Sequence, residues 1–322
     1  MTDSTSEFEL ISRHFMRPAT NAVLGVGDDA ALIDVTNGMD LAVSTDTMVS
    51  GTHFFPDVDP EHLGHKALAV NLSDMAAMGA LPYWAMLALT LPSVDHQWLG
   101  AFAKGFFDLA AEYNVSLVGG DTTRGPLTLT VTIMGEVPMG AALRRNGAKA
   151  GNDVWVSGNL GDAALAVAHR HGKLVLEESD YHEAVMRLYE PTPRVNLGQA
   201  LRGLATAAID ISDGLLADLG WICRLSGVGA TVDLSQVPVS PIGAKHVASD
   251  AGLTAIVAGG DDYELCFTAP ANARESITDL TNVLGIPLTR IGQVKRGKGV
   301  SLMNDGKPVK IDGRGFDHFS NP

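Results

Sequence analysis

The chain has 322 residues, of which 46% are hydrophobic and 19% charged, and its formal net charge is -14. That composition supplies core material for two ordinary domains and argues against disorder. The acidic balance repels nucleic acid and anionic membrane surfaces, so neither is an expected partner, and a phosphate substrate would need a cation between itself and the protein.

In chain order, residues 7–17 read as a short amphipathic helix, and residues 23–34 as a strand interrupted by Gly25-Val26-Gly27-Asp28-Asp29. Residues 41–45 form a strand running into Asp46. Asp59-Pro60-Glu61 is a helix start, with Asp59 as cap and Pro60 in the first turn, and the helix continues to about Gly79. Strands at 83–91, 115–118 and 127–136 and a helix at 97–113 follow. The apolar run 75–92 is broken by Gly79 and Pro82, so it reads as a buried helix end and a buried strand rather than a membrane span.

Residues 140–152 are rich in Gly, Ala, Arg and Lys and mark the expected boundary between domains 1–139 and 140–322. Beyond it, strands are expected at 154–157, 208–211, 230–234, 254–258 and 263–268, with a final pair near 288–294 and 299–311. Helices follow the 158–161 turn, cover 181–190 and start at Leu215. Residues 115–121 and 255–261 both end an apolar run in Gly-Gly-Asp, a weak internal echo. The mixture of alternating elements and runs of strands predicts two α/β (α+β) domains, not a doubly wound sheet.

Two isolated cysteines, Cys223 and Cys266, form no metal or disulfide pattern and fit a reducing compartment. The first residues show no signal-peptide pattern. A cytoplasmic protein is the expectation.

The informative pattern is aspartates set beside Gly, Ser or Thr at the ends of apolar runs. They are Asp28 and Asp29, Asp46, Asp121, Asp210 and Asp213, and Asp261 and Asp262. Any one alone reads as a turn residue or helix cap. Several gathered at one sheet edge would repel one another unless a cation neutralised them. Asp74 lies near the C-terminal end of an otherwise apolar helix, where burial and the macrodipole both disfavour a negative charge; Asn71 precedes it on the same face. All-oxygen donors, including Ser44 and Thr45, indicate Mg²⁺, Mn²⁺ or Ca²⁺ rather than zinc. No Walker A loop, kinase catalytic-loop signature or G-x-G-x-x-G occurs, so phosphates would be held by metal ions, Gly amides and a few basic side chains. Gly119-Gly120, Arg144-Arg145 and the 157–161 turn are candidates for that role. For the last, an ordinary strand–helix turn is the safer reading.

Six motifs, G-V-G-D-D-A, S-T-D-T-M-V-S-G-T-H-F, N-L-S-D-M-A-A-M-G-A-x-P, G-G-D-T-T-R-G, I-D-I-S-D-G-L and G-G-D-D-Y-E-L, stand in order. In this the chain resembles the thiamine-monophosphate kinases, within the aminoimidazole-ribonucleotide-synthetase-like superfamily. The resemblance implies a two-domain fold with mixed sheets and covering helices, usually a homodimer. It implies ATP- and Mg²⁺-dependent phosphorylation of thiamine monophosphate to thiamine diphosphate, the last step of that biosynthesis, by direct in-line transfer. K⁺ is a candidate additional ion. Domain 1–139 would bind metal and nucleotide and dimerise, and domain 140–322 would complete the ATP and substrate site.

Carried over residue by residue, the metal ligands would be Asp29, Ser44, Thr45, Asp46, Asp74, Asp121, Asp210 and Asp213. The ATP contacts would be Gly120, Asp121, Arg145 and Ser212, and the substrate contacts His53, Asp261 and Gly313. Asp46, Asp121 and Asp213 would be catalytic. The chain departs from the family pattern at Asp261, where Glu is common, at Gly313, where an aromatic residue is common and Phe316 is the nearest substitute, and at Asn152. Competing readings are another ATP-using enzyme of the superfamily, a metal-dependent phosphohydrolase and a non-catalytic metal-binding module. Selenophosphate synthetase is disfavoured because no Cys lies near the N-terminus.

Overall fold

The computed structural model describes residues 6–311, 315–316 and 319. The chain divides into two compact units, one of 1–75 and 80–140, the other of 76–79 and 141–322.

The first unit comprises α1 (Glu7–His14), β1 (Met39–Val49), α2 (Pro60–Ala77), β2 (Leu81–Leu91), α3 (His96–Glu112), β3 (Ser116–Arg124) and β4 (Thr128–Pro138). Its four strands form a sheet in the order β1-β4-β2-β3, antiparallel except for β2 beside β3. Local chemistry sets the helix starts. Ser6 and Glu9 form a capping box on α1, the Asp59 carboxylate accepts the Glu61 N–H (2.8 Å), and Asp95 accepts from Gln97 and Trp98. The helix expected over 7–17 stops at His14, shortly before Pro18, which disfavours helical backbone in the residue ahead of it.

Helices α2 and α3 meet through glycines. A Cβ on Gly64 would stand 2.0 Å from the Phe102 carbonyl oxygen, and one on Gly105 would stand 1.9 Å from that of Glu61. Leu68, Leu72, Phe102, Phe106, Leu129 and Ile133 are fully buried between helices and sheet. No strand forms over 23–34. That stretch is a turn held by an isolated Leu24–Leu32 bridge, and Asp28 and Asp29 lie in it.

The second unit comprises β5 (Asp153–Ser157), α4 (Asp162–Arg170), α5 (Glu178–Tyr189), α6 (Val195–Ala200), β6 (Ala207–Asp210), α7 (Leu215–Ser226), β7 (Gly229–Asp233), α8 (Pro241–His246), α9 (Asp250–Ala258), β8 (Leu265–Ala269), α10 (Arg274–Leu284), β9 (Leu288–Lys295), β10 (Gly299–Asn304) and β11 (Lys307–Val309). Its seven-stranded mixed sheet runs β11-β10-β7-β9-β5-β8-β6, with β7 and β10 parallel. Val154, Val156, Ile209, Leu219, Ile222 and Ile256 belong to its core.

The strand expected at 254–258 is helix α9. Ser249 caps it by accepting the Gly252 N–H, and Asp250 occupies its first turn. A short β-branched run is ambiguous by periodicity, and the cap decides it. The Gly-Gly-Asp echo is therefore not a structural repeat, since 115–121 falls in and beside β3 while 255–261 is helix and loop. Helices α6, α8 and α10 add to the elements expected from the sequence; Ser240 caps α8 by accepting the Ile242 and Gly243 N–H groups, with Pro241 in its first turn. No helix among the described residues is long and apolar enough to cross a membrane.

Candidate active site

In the first unit, β1 runs through Asp46 rather than ending at it, and β3 likewise runs through Gly119-Gly120-Asp121 to Arg124. Strand alternation sends Ser44 and Asp46 to one face and Thr45 to the other. Ser44 Oγ donates to Asp74 Oδ2 at 2.6 Å, which joins β1 to α2. Thr45 Oγ1 donates to the Val131 carbonyl (3.0 Å) and meets Thr132 Oγ1 (2.8 Å), so its hydroxyl is committed to the sheet. Asp74 is half-buried rather than buried, although Leu72, Ser73 and Met75 around it are fully covered. One turn earlier, Asn71 is 1% exposed; its Nδ2 donates to the Ala67 carbonyl and its Oδ1 has no hydrogen-bond partner.

Across the sheet, Asp46 stands in register with Val131, Leu87 and Gly120, whereas Asp121 stands one rung along with Ala88, Thr130 and Thr47. Gly120 has φ +152°, and a Cβ there would fall 1.8 Å from the Leu87 carbonyl oxygen, so this row admits only glycine. His53 Nδ1 accepts the Val49 N–H at 2.9 Å, which leaves the ring proton of the neutral form on Nε2.

In the second unit, the loop after β6 and the loop before β8 are laced together. Asp261 N–H donates to the Ser212 carbonyl (2.9 Å), Tyr263 N–H to the Ile211 carbonyl (2.8 Å) and Ile211 N–H to the Glu264 carbonyl (2.8 Å). Asp261 (φ +69°) and Tyr263 (φ +50°) both hold left-handed backbone, which is costly for non-glycine residues. The Tyr263 hydroxyl donates to Asp261 Oδ1 at 3.3 Å.

Asp210 is buried at the end of β6, and Asp213 begins the turn into α7. Beside them Asp218 accepts the N–H groups of Asp213 and Gly214, each at 3.1 Å. Burial first, and then the charges of Asp210 and Asp213, push the Asp218 carboxyl up to about 8. The Phe316 N–H donates to the Asp213 carbonyl (3.2 Å), which brings Phe316 to this turn, while Gly313 lies outside the described residues. Arg145 is exposed. Asn152 closes a turn, its Oδ1 accepting from Lys149 N–H (2.9 Å) and Thr206 Oγ1 (2.8 Å).

Several residues here were not singled out from the sequence. Glu264 is clamped side-on by Arg194 through Nε and Nη2, with Arg194 Nε at 2.7 Å from Oε2, and Ser157 Oγ donates to the same carboxylate. The 157–161 turn is not open to an outside anion, because Gly161 N–H donates to Asp262 Oδ1 (2.8 Å) and Leu160 N–H to the Pro238 carbonyl. Asp218 carries a readable signal: it interrupts the buried stripe Leu215, Leu219, Ile222, Cys223 of α7.

Among the described residues no group of three or more His, Cys, Asp or Glu side chains is arranged as a metal site. The donor chemistry still fits a hard cation. Ser44, Asp46 and Asp74 present oxygens on one face, and the unpartnered Asn71 Oδ1 lies one turn away. Mg²⁺ characteristically binds through one or two carboxylates and completes its shell with water and substrate phosphate.

Two family models match, "AIR synthase related protein, N-terminal domain" over residues 27–137 and "AIR synthase related protein, C-terminal domain" over 149–304. Thiamine-monophosphate kinase of Salmonella typhimurium is 49% identical over 321 residues, 98% of this chain and 99% of that one. The chain belongs to the thiamine-monophosphate kinase family. Among solved structures, thiamine-monophosphate kinase from Stenotrophomonas maltophilia K279a matches with a TM-score of 0.84 and 45% identity, covering 96% of this chain and 98% of that one. A structure of AaThiL complexed with AMPPCP and TMP matches with a TM-score of 0.77 and 29% identity over 97% of each chain. For a thiamine-monophosphate kinase, the features of this chain that stand out are Asp261 on strained backbone and the buried carboxyls behind it.

Proposed function

We propose that this chain transfers the γ-phosphoryl group of ATP to the phosphate of thiamine monophosphate, giving thiamine diphosphate and ADP. The observation that carries this reading is 49% identity, over 98% of the chain, with a named kinase of that substrate. In the first unit, Asp29, Ser44, Thr45, Asp46, Asp74 and Asp121 would hold Mg²⁺, with Thr45 offering its main-chain carbonyl because its hydroxyl is committed. Asp210 and Asp213 would do so in the second unit. Bound Mg²⁺ supplies charge neutralisation of the polyphosphate and orientation of the transferring group.

Gly120, Asp121, Arg145 and Ser212 would contact ATP, and the planar fork of Arg145 would suit a phosphate. His53 would offer its Nε2–H and Asp261 its carboxylate to the acceptor; Gly313 or Phe316 would lie beside the thiamine ring. The acceptor phosphate has a second pKa of about 6, so it is mostly dianionic at neutral pH and needs no general base. Transfer is then in-line, with catalysis resting on positioning and electrostatics, and Asp46, Asp121 and Asp213 central to it.

A homodimer is proposed from the face of the first sheet that carries Leu41 (40% exposed), Val43 (56%) and Met86 (40%). Exposed apolar side chains gathered on one sheet face suit an interface, and light scattering would show twice the chain mass. Two free buried thiols, Cys223 and Cys266, suit the reducing cytoplasm. K⁺ is tested by replacing it with Na⁺ in the assay.

The deciding experiment incubates the protein with ATP, Mg²⁺ and thiamine monophosphate and separates the products. Thiamine diphosphate is expected. Free phosphate without diphosphate would instead identify a hydrolase. Full activity of Asp46→Asn at limiting Mg²⁺ would remove the metal assignment.

A further inference from the structure

The second aspartate of Gly259-Gly260-Asp261-Asp262 lies outside every role given above, yet its setting is the more unusual of the two. Asp262 Oδ1 accepts the Gly161 N–H at 2.8 Å, at the residue that opens α4, while its buried Oδ2 has no hydrogen-bond partner. On either side of it the backbone is left-handed, at Asp261 (φ +69°) and Tyr263 (φ +50°). Such conformations persist only where surrounding structure over-determines them.

Here the surrounding structure can be named. The flanking residues are tied by their amides to the 211–212 carbonyls, and Gly260 sits so close to the Ser212 carbonyl oxygen (2.1 Å from an added Cβ) that no side chain fits. Glu264 is clamped by Arg194 and Ser157. The Asp262 side chain ties this segment's strained centre to the turn ahead of α4.

We propose that Asp262 is a positioning residue for the acceptor end of the site, fixing the 261–263 segment on the Gly161 amide so that Asp261 presents its carboxylate in one orientation. This rests on the reading of Asp261 as a contact of thiamine monophosphate. Burial, and then the neighbouring carboxyls of Glu264, Asp162 and Asp261, hold the Asp262 proton well above the ordinary carboxylate range. The same surroundings favour the neutral acid in this tie. A neutral acid that only accepts one amide N–H is mimicked by asparagine and not by alanine.

The test compares wild type, Asp262→Asn, Asp262→Ala and the core control Ile277→Ala, a fully buried residue of α10. Asp262→Ala is expected to raise KM for thiamine monophosphate tenfold or more, with KM for ATP within twofold of wild type. Asp262→Asn should restore the acceptor KM to within about twofold to threefold. Ile277→Ala should lose stability without moving either KM. An unchanged acceptor KM in Asp262→Ala, an equal rise in Ile277→Ala, or no rescue by asparagine would overturn the proposal. Should the alanine variant not fold, Asp262→Ser carries the same comparison. Amide exchange at Gly161 must quicken in the alanine or serine variant and stay slow with asparagine. If wild type forms no thiamine diphosphate, the acceptor reading fails on its own account, and Gly161 exchange then judges the tie independently.

Discussion

Replacing Arg194 by alanine would strip Glu264 of its two charged donors and leave the carboxylate in place. The side chains are 16% and 8% exposed, so solvent cannot take over the lost contacts. Only the Ser157 hydroxyl remains among the partners described above, at 2.5 Å from Oε2. An exposed pair would contribute about 1 kcal/mol or less. Breaking a buried pair from one side costs roughly 3–5 kcal/mol, because the orphaned charge keeps its desolvation penalty. Against a typical total stability of about 5–15 kcal/mol this is a large fraction.

Urea unfolding followed by far-ultraviolet circular dichroism reads the loss. With an m-value near the upper end of its range, about 3 kcal/mol/M, the midpoint should fall by about 1 M or more at unchanged slope. The double variant Arg194→Met/Glu264→Gln removes both charges and should recover most of that fall, with a coupling of at least about 2 kcal/mol. A shift in Arg194→Ala below about 0.3 M, or a double variant less stable than the single one, would refute the account of Glu264 as a charge dependent on its partner.

Ser44→Ala removes a proposed Mg²⁺ ligand that also orients Asp74 Oδ2; the Mg²⁺ concentration for half-maximal activity should rise about tenfold or more, the loss of an outer partner alone being worth about that, and an unchanged Mg²⁺ titration would count against the Ser44–Asp74 pair as a metal donor. Gly64→Ala places a methyl group 2.0 Å from the Phe102 carbonyl oxygen, so α2 and α3 must separate, at a cost of about 1–3 kcal/mol or more; calorimetry should show the transition moved down, and an unmoved transition would mean the helices yield freely. Asp262 retains its proton in the native state above the ordinary carboxylate range, whereas the unfolded chain releases it near a pKa of about 3.9. Its contribution is whole below that value and is lost as pH rises toward the native pKa; Asp262→Asn should gain on wild type progressively as pH rises above about 4 in chemical denaturation, and parallel pH profiles would contradict a raised Asp262 pKa.

Much of the first unit was legible because its signals are local. Asp59-Pro60 starts α2 and Asp95 starts α3 through side-chain bonds to amides two or three residues on, and the apolar circumference of α2 made Asp74 conspicuous. Aspartates beside Gly, Ser and Thr marked oxygen-ligand chemistry, and six motifs in order marked the family. Where the local pattern was short, it misled. The run 254–258 has the composition of a strand, but its helical state is decided by a cap at Ser249, several residues away.

Tertiary structure decided how the carboxylates are partnered, since hydrogen bonds across 30 to 107 residues leave no periodic trace. The Ser44–Asp74 bond and the Arg194–Ser157–Glu264 clamp are of this kind. It also separated Asp262 from Asp261, which composition and spacing alone do not tell apart. Backbone φ turns one toward the Tyr263 hydroxyl and buries the other against Gly161. The sequence thus determined that acidic oxygens and glycine turns would do the work. Long-range packing alone decided which carboxyls are exposed as ligands and which are kept neutral inside, because desolvation depends on what surrounds a group in space and not on its neighbours along the chain.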